Sequence, residues 1–531
     1  MDQFLRKNLV LLITLAVIAA LFAIAARGMD NQDFVITLLR GLSVGSVTFL
    51  VAAGFSLIFG LLDVLNLAHG TFFMIGAYIG WTVFVRPDTF VDLLTPMALV
   101  MSGFALRGIY PLLAEKIGYD DEIRSLKTAG VKRMIPITLL LVSIALLALI
   151  LPRYPVAIWN VENYAQSPVT YAFMANQGTR LPVTPATFET IAPAIAFVGL
   201  ILASLLGTFA LSLFQRNWRI RTKQDRQAQA RQIWRAVAGF VLLVGIAAVG
   251  VIYNDALSTF LLQLNSNWLF LISVLVAVLS GIGLGALMEV ILIRPLYIRP
   301  IYQLMLTLGM SVIGIEMVRA IWGRPEFVMP KPALFNGTGE GCPATSLAGW
   351  WANKCSTILL FDGRVRVYNE IFLPVIGLLV LVSIWLLLQR TRLGMIIRAG
   401  VQDREMVEAL GINVRQVFTM VFALGVGLAA LGGALGAPST GLSNGMGESL
   451  FLNALIALAI GGLTNYPGAA LGSVLVGLLQ QFMVKYGQIG IPIPFTQVVF
   501  KPTPPLVPAS TVLLMVIILL ILPNGLLGKK E

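Results

Sequence analysis

Long apolar segments recur from one end of the 531-residue chain to the other, and they constrain its fold more than any other feature. Each approaches the length of about 20 residues that a helix needs to cross the hydrocarbon core of a bilayer. Only 12% of the residues are charged, whereas a soluble domain carries about 25%. Because helices satisfy their own backbone hydrogen bonds in lipid, the pattern predicts an all-α, polytopic bundle of about 14 spans.

The predicted spans differ in strength. The segment at 450–463 is short and ends in glycines, which predicts a broken or half helix. The spans are predicted near residues 9–26, 34–60, 67–86, 92–112, 134–152, 189–213, 235–253, 268–293, 301–322, 368–389, 416–437, 450–463, 468–486 and 509–527.

The basic residues predict how the chain is oriented. They concentrate in three segments between spans, residues 113–133, 216–235 and 390–415, and flank the chain ends at Arg6–Lys7 and Lys529–Lys530. Counting spans puts all five on one side, and the excess of basic residues in cytoplasmic loops makes that side the cytoplasm. Both termini are therefore predicted to be cytoplasmic. The net charge of +12 favours anionic membrane lipid, rather than nucleic acid, as the partner of these loops.

The residue inventory excludes several kinds of site. His69 is the one histidine and Cys342 and Cys355 are the only cysteines, too few for a zinc site built from cysteine and histidine alone. No complete phosphate-binding loop occurs. We therefore expect no metal, no cofactor and no enzymatic activity in this chain. Both cysteines fall in a predicted outer loop, where a disulfide could persist; two unpaired thiols are the alternative.

A cytoplasmic stretch at 390–418 mixes acids and bases with the apolar residues Met406, Ala409, Leu410 and Ile412. A short helix is predicted from Asp403, which can cap its start, to Leu410, since a glycine at position 411 can end it. Such a helix would present a small apolar face ringed by charge, which suits the docking of a cytoplasmic protein. An ordinary solvated loop is the alternative.

The segment EMVEALGINV, residues 405–414, resembles the coupling loop of ATP-binding-cassette importer permeases of the branched-chain amino acid family. Four further blocks resemble the same family in the same order: an N-x-A-H-G block within 54–80, MEVILIRPLYIRP, the glycine-rich stretch after 450, and the terminal LPNGLLG. The resemblance implies contact with an ATPase subunit through this loop. The residues so implied are Asp403, Arg404, Glu405, Glu408, Ala409, Leu410, Gly411 and Ile412.

The chain departs from the family pattern in two places. Thr71 stands where family members often carry an acid, and residues 87–267 have no counterpart in the resemblance. We therefore predict three regions: N-terminal spans at 1–86, inserted spans with a basic loop at 87–267, and core permease spans at 268–531.

A few polar residues lie within or beside apolar segments, where ionisable groups are costly and often functional. Asn66, His69 and Glu448 are candidates for a translocation path or gate. Span counting places Asp63 to His69 at the cytoplasmic interface, and there His69 would instead be a structural cap or loop anchor. Glu289 can be read as marking the end of a helix.

The resemblance implies a permease subunit of an importer in the plasma membrane that moves branched-chain amino acids or related small polar solutes by alternating access. Its implied partners are cytoplasmic ATP-binding subunits, a second permease subunit and a periplasmic or extracellular solute-binding protein. The alternative is a secondary transporter driven by an ion gradient, whose discontinuous helices would carry ion sites at mid-membrane.

Overall fold

The computed structural model describes residues 9–116, 126–154, 191–214, 226–297, 299–323, 326–361, 363–402, 404–492 and 499–528. The first half of the predicted basic loop at 216–235 lies outside these ranges, as do part of the loop at 113–133, both basic chain ends and Asp403. The orientation that these charges predict stays a prediction.

The described chain is built almost entirely of helices. The α-helices are α1 Leu9–Arg27, α2 Asn31–Leu62, α3 His69–Val85, α4 Pro87–Ala105, α5 Tyr110–Lys116, α6 Leu126–Ile150, α7 Pro193–Phe214, α8 Arg226–Ile252, α9 Asn254–Gln263, α10 Ser266–Met288, α11 Pro300–Trp322, α12 Leu347–Asn353, α13 Leu373–Arg390, α14 Arg392–Gln402, α15 Arg404–Ala409, α16 Val414–Thr440, α17 Met446–Gly461, α18 Tyr466–Ile489 and α19 Leu506–Ile521. Short 3₁₀ or π turns cover Leu106–Gly108, Leu151–Arg153, Glu289–Ile293, Arg294–Leu296, Ala333–Phe335 and Val367–Phe372.

Nine helical segments in the described part of the chain are long and apolar enough to cross a membrane. They contain α2, α4, α7, α8, α10, α11, α13, α16 and α18. Four shorter apolar helices lie at His69–Val85, Met134–Ile150, Met446–Gly461 and Leu506–Ile521. The predicted all-α polytopic bundle is confirmed, while the total of about 14 spans stays a prediction.

Contacts divide the chain into two compact units. The first holds the described residues of Met1–Val85 and Asn265–Glu531, and the second those of Arg86–Tyr164 and Gln177–Leu264. These limits lie close to the predicted limits of the inserted region, 87–267. What that region does, and whether it entered as an insertion, stays a prediction.

Close backbone contacts hold the first unit together. Helix α2 packs along α18, where Gly41 and Gly45 lie against the backbone of Ser473 and Gly477. A Cβ atom at either of these α2 positions would crowd that backbone. Small residues allow such close approach in lipid, where no hydrophobic force drives helices together. The 32-residue α2 is consequently buried along most of its length.

Hydroxyl side chains connect the helices of the second unit. The Tyr110 hydroxyl donates to the Gly103 carbonyl oxygen at 2.8 Å and lies 2.8 Å from the Thr208 hydroxyl. The Ser204 hydroxyl in α7 accepts a hydrogen bond from the Gly103 amide in α4 at 2.9 Å. Serine and threonine commonly join membrane helices in this way.

A folded segment joins α11 to α13 on the predicted outer side. Within it, strands β1, Thr357–Leu360, and β2, Gly363–Arg366, form an antiparallel hairpin. A second short pair lies elsewhere, between α18 and α19, and consists of β3, Ile491–Pro492, and β4, Val499–Phe500. Cys342 and Cys355 form a disulfide. The Trp350 indole donates to the Cys355 carbonyl oxygen at 3.0 Å and stacks on Phe335. The disulfide and these contacts therefore join different parts of the segment to one another.

Candidate functional site

The N-x-A-H-G block forms a break between α2 and α3. Asp63 ends α2 in the left-handed conformation, with φ at 52°, and its amide donates to the Phe59 carbonyl oxygen. The Asn66 side-chain oxygen then accepts a hydrogen bond from the Ala68 amide at 3.1 Å. Asparagine at such a position satisfies an amide that the new helix leaves unpaired. Asn66 thus fixes where α3 begins, at His69.

His69 lies deep in the bundle. Its side chain is completely buried, and its Nε2 atom donates to the Val51 carbonyl oxygen at 3.0 Å. Val51 precedes the end of α2 by 11 residues, which is about 16 Å along a helix. The expectation that Asp63 and His69 lie at the cytoplasmic interface stays a prediction. Charge counting predicts a side of the membrane, and it carries no information on how the chain folds back between these two residues.

Two buried polar atoms at this break have no hydrogen-bond partner among the described residues. They are the amide nitrogen of Asn66 and Nδ1 of His69. Since Nε2 of His69 donates to a carbonyl oxygen, Nδ1 of the neutral ring is an acceptor, whereas the Asn66 nitrogen is a donor. A buried unpaired polar group costs about 1–3 kcal/mol. The break therefore offers one unused donor and one unused acceptor in an aromatic setting formed by Phe55 and Phe451.

The first turns of α3 and α17 touch at this level. Gly70 and Gly447 approach so closely that a Cβ atom on either would overlap the carbonyl group of the other. The two helices thus contact each other here chiefly through backbone.

Glu448 follows Gly447 directly, yet its side chain is exposed whereas those of Asn66 and His69 are buried. The three predicted path residues therefore do not share one enclosed site.

The predicted docking helix is α15. Its described apolar anchor is Val407, which is 3% exposed and packs with Val414 and Phe418 of α16. The amide of Ile412 donates to the Val407 carbonyl oxygen at 3.3 Å, and Gly411 turns the chain with φ at 80°. L side chains other than asparagine and aspartate rarely adopt that conformation, so Gly411 suits the helix end predicted for it.

The exposed face of α15 agrees in part with the predicted surface. Met406 and Leu410 are 61% and 72% exposed, and Glu408 and Ala409 are exposed as well. Ile412 is half-buried beside the Val407 cluster, so it contributes less to the surface than expected. The contribution of Asp403 lies outside the described residues, and so do the side chains of Arg404 and Glu405.

Sequence reasoning missed two parts of this region. Val407 was not distinguished from its exposed neighbours, and residues 392–402 were expected to be loop rather than the helix α14. The signal for α14 was present, because Leu393, Ile396 and Ile397 recur at helical spacing. These residues pack with the ends of α2 and α16.

Comparison with known proteins gives one family. The family model described as branched-chain amino acid transport system / permease component matches residues 238–522. It does not reach the predicted N-terminal block, and it begins within the region predicted to be inserted. No solved structure matches the chain.

Three curated relatives illustrate the similarity. The high-affinity branched-chain amino acid transport system permease protein BraD of Pseudomonas aeruginosa is 31% identical over 41% of this chain and 65% of its own length. The corresponding LivH protein of Escherichia coli is 23% identical over 51% of this chain and 79% of its own. The fructose import permease protein FruF of Bifidobacterium longum is 24% identical over 49% of this chain and 69% of its own. With the family model matching more than half of its residues, the chain belongs to the branched-chain amino acid transport system permease component family.

Proposed function

We propose that this chain is the membrane permease subunit of an ATP-binding-cassette importer for branched-chain amino acids or related small polar solutes. The family assignment supports a transport component rather than an enzyme, and together with the apolar helices it supports a multi-pass plasma membrane protein. The observation that carries the proposal is α15. Its exposed Met406 and Leu410 offer a docking surface, while its buried Val407 ties it to the membrane helix α16.

The proposed partners follow from this arrangement. Cytoplasmic ATP-binding subunits dock on α15, a second permease subunit completes the pathway, and a solute-binding protein delivers the solute on the outer side. ATP hydrolysis belongs to the ATP-binding subunits, and this chain binds and gates. Among the relatives compared, two are named for branched-chain amino acids and one for fructose, so leucine is the first solute to test.

Uptake into proteoliposomes tests the proposal. The chain is reconstituted with its ATP-binding subunits, a second permease and the solute-binding protein, and labelled leucine and fructose are supplied in turn. We expect uptake that requires ATP and disappears when the ATP-binding subunits carry an inactive phosphate-binding loop. Uptake by this chain without ATP-binding subunits, driven by a proton or sodium gradient, would establish the secondary transporter instead.

We further propose that the break between α2 and α3 forms part of the translocation path. Opening the contact between Gly70 and Gly447 would expose the unused donor of Asn66 and the unused acceptor of His69 to a polar solute. The aromatic rings of Phe55 and Phe451 suit the apolar part of such a solute.

The variant His69→Leu tests this path. It removes the acceptor and the bond to Val51, and we expect a KM for solute at least tenfold higher with basal ATP turnover unchanged. His69→Gln, which keeps an amide donor and acceptor, should lie closer to the wild type. If both variants yield less folded protein, and the protein that does fold has the wild-type KM, then His69 has a structural role only.

A further inference from the structure

A buried glutamate follows the C-terminal end of α10, outside the sites described so far. Glu289 opens the π turn Glu289–Ile293, and its side chain is completely inaccessible. π turns are rare and often occur at functional positions. The sequence suggested only that Glu289 marks a helix end, and its surroundings show more.

Four hydrogen bonds converge on the Glu289 carboxylate. Arg294 donates to both of its oxygens, from Nε at 3.1 Å and from Nη2 at 2.8 Å. The hydroxyl groups of Tyr297 and Thr419 each donate at 2.7 Å, one to each oxygen. Arg294 Nη2 also donates to the Thr419 hydroxyl at 2.6 Å. Because Thr419 belongs to α16, the carboxylate joins the end of α10 to the second turn of α16.

The same cluster reaches the docking helix. The ring of Tyr297 meets Phe418 edge-on at 5.8 Å between centroids, and Tyr297 packs beside the cluster of Val407, Val414 and Phe418. Val407 of α15 is therefore connected to the buried Glu289 carboxylate through Phe418 and Tyr297.

A buried ion pair of this kind is not required for stability as such. Replacing both members of a buried pair by neutral side chains is often harmless, whereas removing one member leaves a charge unpaired and is strongly destabilising. A bidentate pair does fix geometry, because its two parallel hydrogen bonds allow only one orientation. Geometry, rather than stability, is the property that this site supplies.

We infer that Glu289 is the positioning residue that transmits movement of the docking helix α15 to the membrane helices α10 and α16. This inference rests on the proposed importer function. An ATP-binding subunit that displaces α15 moves Val407, Phe418 and Tyr297 with it. The Glu289 carboxylate makes α10 and α16 follow as one body. Without it, α15 moves while α10 stays behind.

The chain offers a matched control in Glu370. It is 1% exposed, lies in the π turn Val367–Phe372 and pairs with Arg40 and Arg366. Glu370 lies just before the start of α13, whereas Glu289 follows the end of α10 near α15. The two glutamates share chemistry and burial and differ in their relation to the docking helix.

The test uses the reconstituted complex and four variants: Glu289→Gln, Arg294→Met, the double variant with both changes, and Glu370→Gln. Thermal stability, basal ATP turnover and solute molecules moved per ATP are measured. Glutamine at 289 presents an amide nitrogen to the donors of Arg294, so the bidentate geometry is lost. We expect Glu289→Gln to keep basal ATP turnover and to move at least tenfold fewer solute molecules per ATP.

The double variant separates positioning from stability. We expect it to be more thermally stable than Arg294→Met, since no unpaired charge remains, and to stay as poorly coupled as Glu289→Gln. Glu370→Gln should lose thermal stability and keep the wild-type transport ratio. Recovery of both stability and ratio in the double variant would overturn the inference, as would equal loss of the ratio in Glu370→Gln. A wild-type complex that moves no solute with ATP would refute the importer function itself.

Discussion

Two exposed methionines make it possible to measure how much α15 contributes to the binding free energy of the ATP-binding subunit. Met406 on α15 is 61% exposed, and Met395 on the neighbouring α14 is 63% exposed. Fully burying a methionine side chain contributes about 1.5–3 kcal/mol. If the partner covers the exposed fraction of Met406, the contact contributes about 1–2 kcal/mol. Since about 1.4 kcal/mol is a tenfold change in affinity, Met406→Ala should weaken docking about 5- to 30-fold.

The assay is the dissociation constant of the purified ATP-binding subunit for the detergent-solubilised permease. Met395→Ala is the matched control, because it removes the same atoms at the same exposure from the adjacent helix. We expect Met395→Ala to keep the dissociation constant within about twofold of the wild-type value, a change in binding free energy well below about 1 kcal/mol. Equal weakening by the two variants would show that the docking surface is not particular to α15. Unchanged docking in Met406→Ala would refute the reasoning outright.

Two further outcomes are expected. Leu347→Cys, 71% exposed on α12, should react with a membrane-impermeant maleimide from outside intact cells, whereas Met395→Cys should not; the reverse pattern would invert the predicted orientation. At Gly411, where φ is 80° and an added Cβ would meet no atom within 4 Å, the strain comes from backbone conformation alone. Gly411→Val should destabilise this helix end by about 1–2 kcal/mol and impair uptake at normal membrane levels. Gly411→Asn should transport nearly as well as the wild type, and equal defects would show that conformation is not the cause.

The sequence predicts the helices well where hydrophobicity alone decides them. The predicted span at 368–389 corresponds to α13 and its preceding π turn, and 301–322 corresponds almost residue for residue to α11. The end of α15 is predicted equally well, because Gly411 adopts the left-handed conformation that is common where a helix ends. These features depend on neighbours in the sequence, which is why they can be read from it.

The candidate sites depend on contacts between residues that are far apart in the sequence, and local sequence patterns do not predict such contacts. Thr419 lies 130 positions from Glu289, its hydrogen-bond partner. No local pattern separates Glu289 from a residue that merely ends a helix. The burial of His69 was not predicted for a related reason, because its contact with Val51 depends on how the break between α2 and α3 folds.

Close glycine contacts between helices determine whether a movement of α15 is transmitted through α16 to α3. Gly433 of α16 lies against the Phe73 carbonyl and the Ala77 amide of α3. Side chains at such contacts could change rotamer and absorb a shift, whereas touching backbones have no such freedom. A displacement of α16 must therefore move α3, whose first turn carries His69 and the closed contact at Gly70. Under the proposed mechanism, these rigid contacts transmit the movement of α15 to the break between α2 and α3.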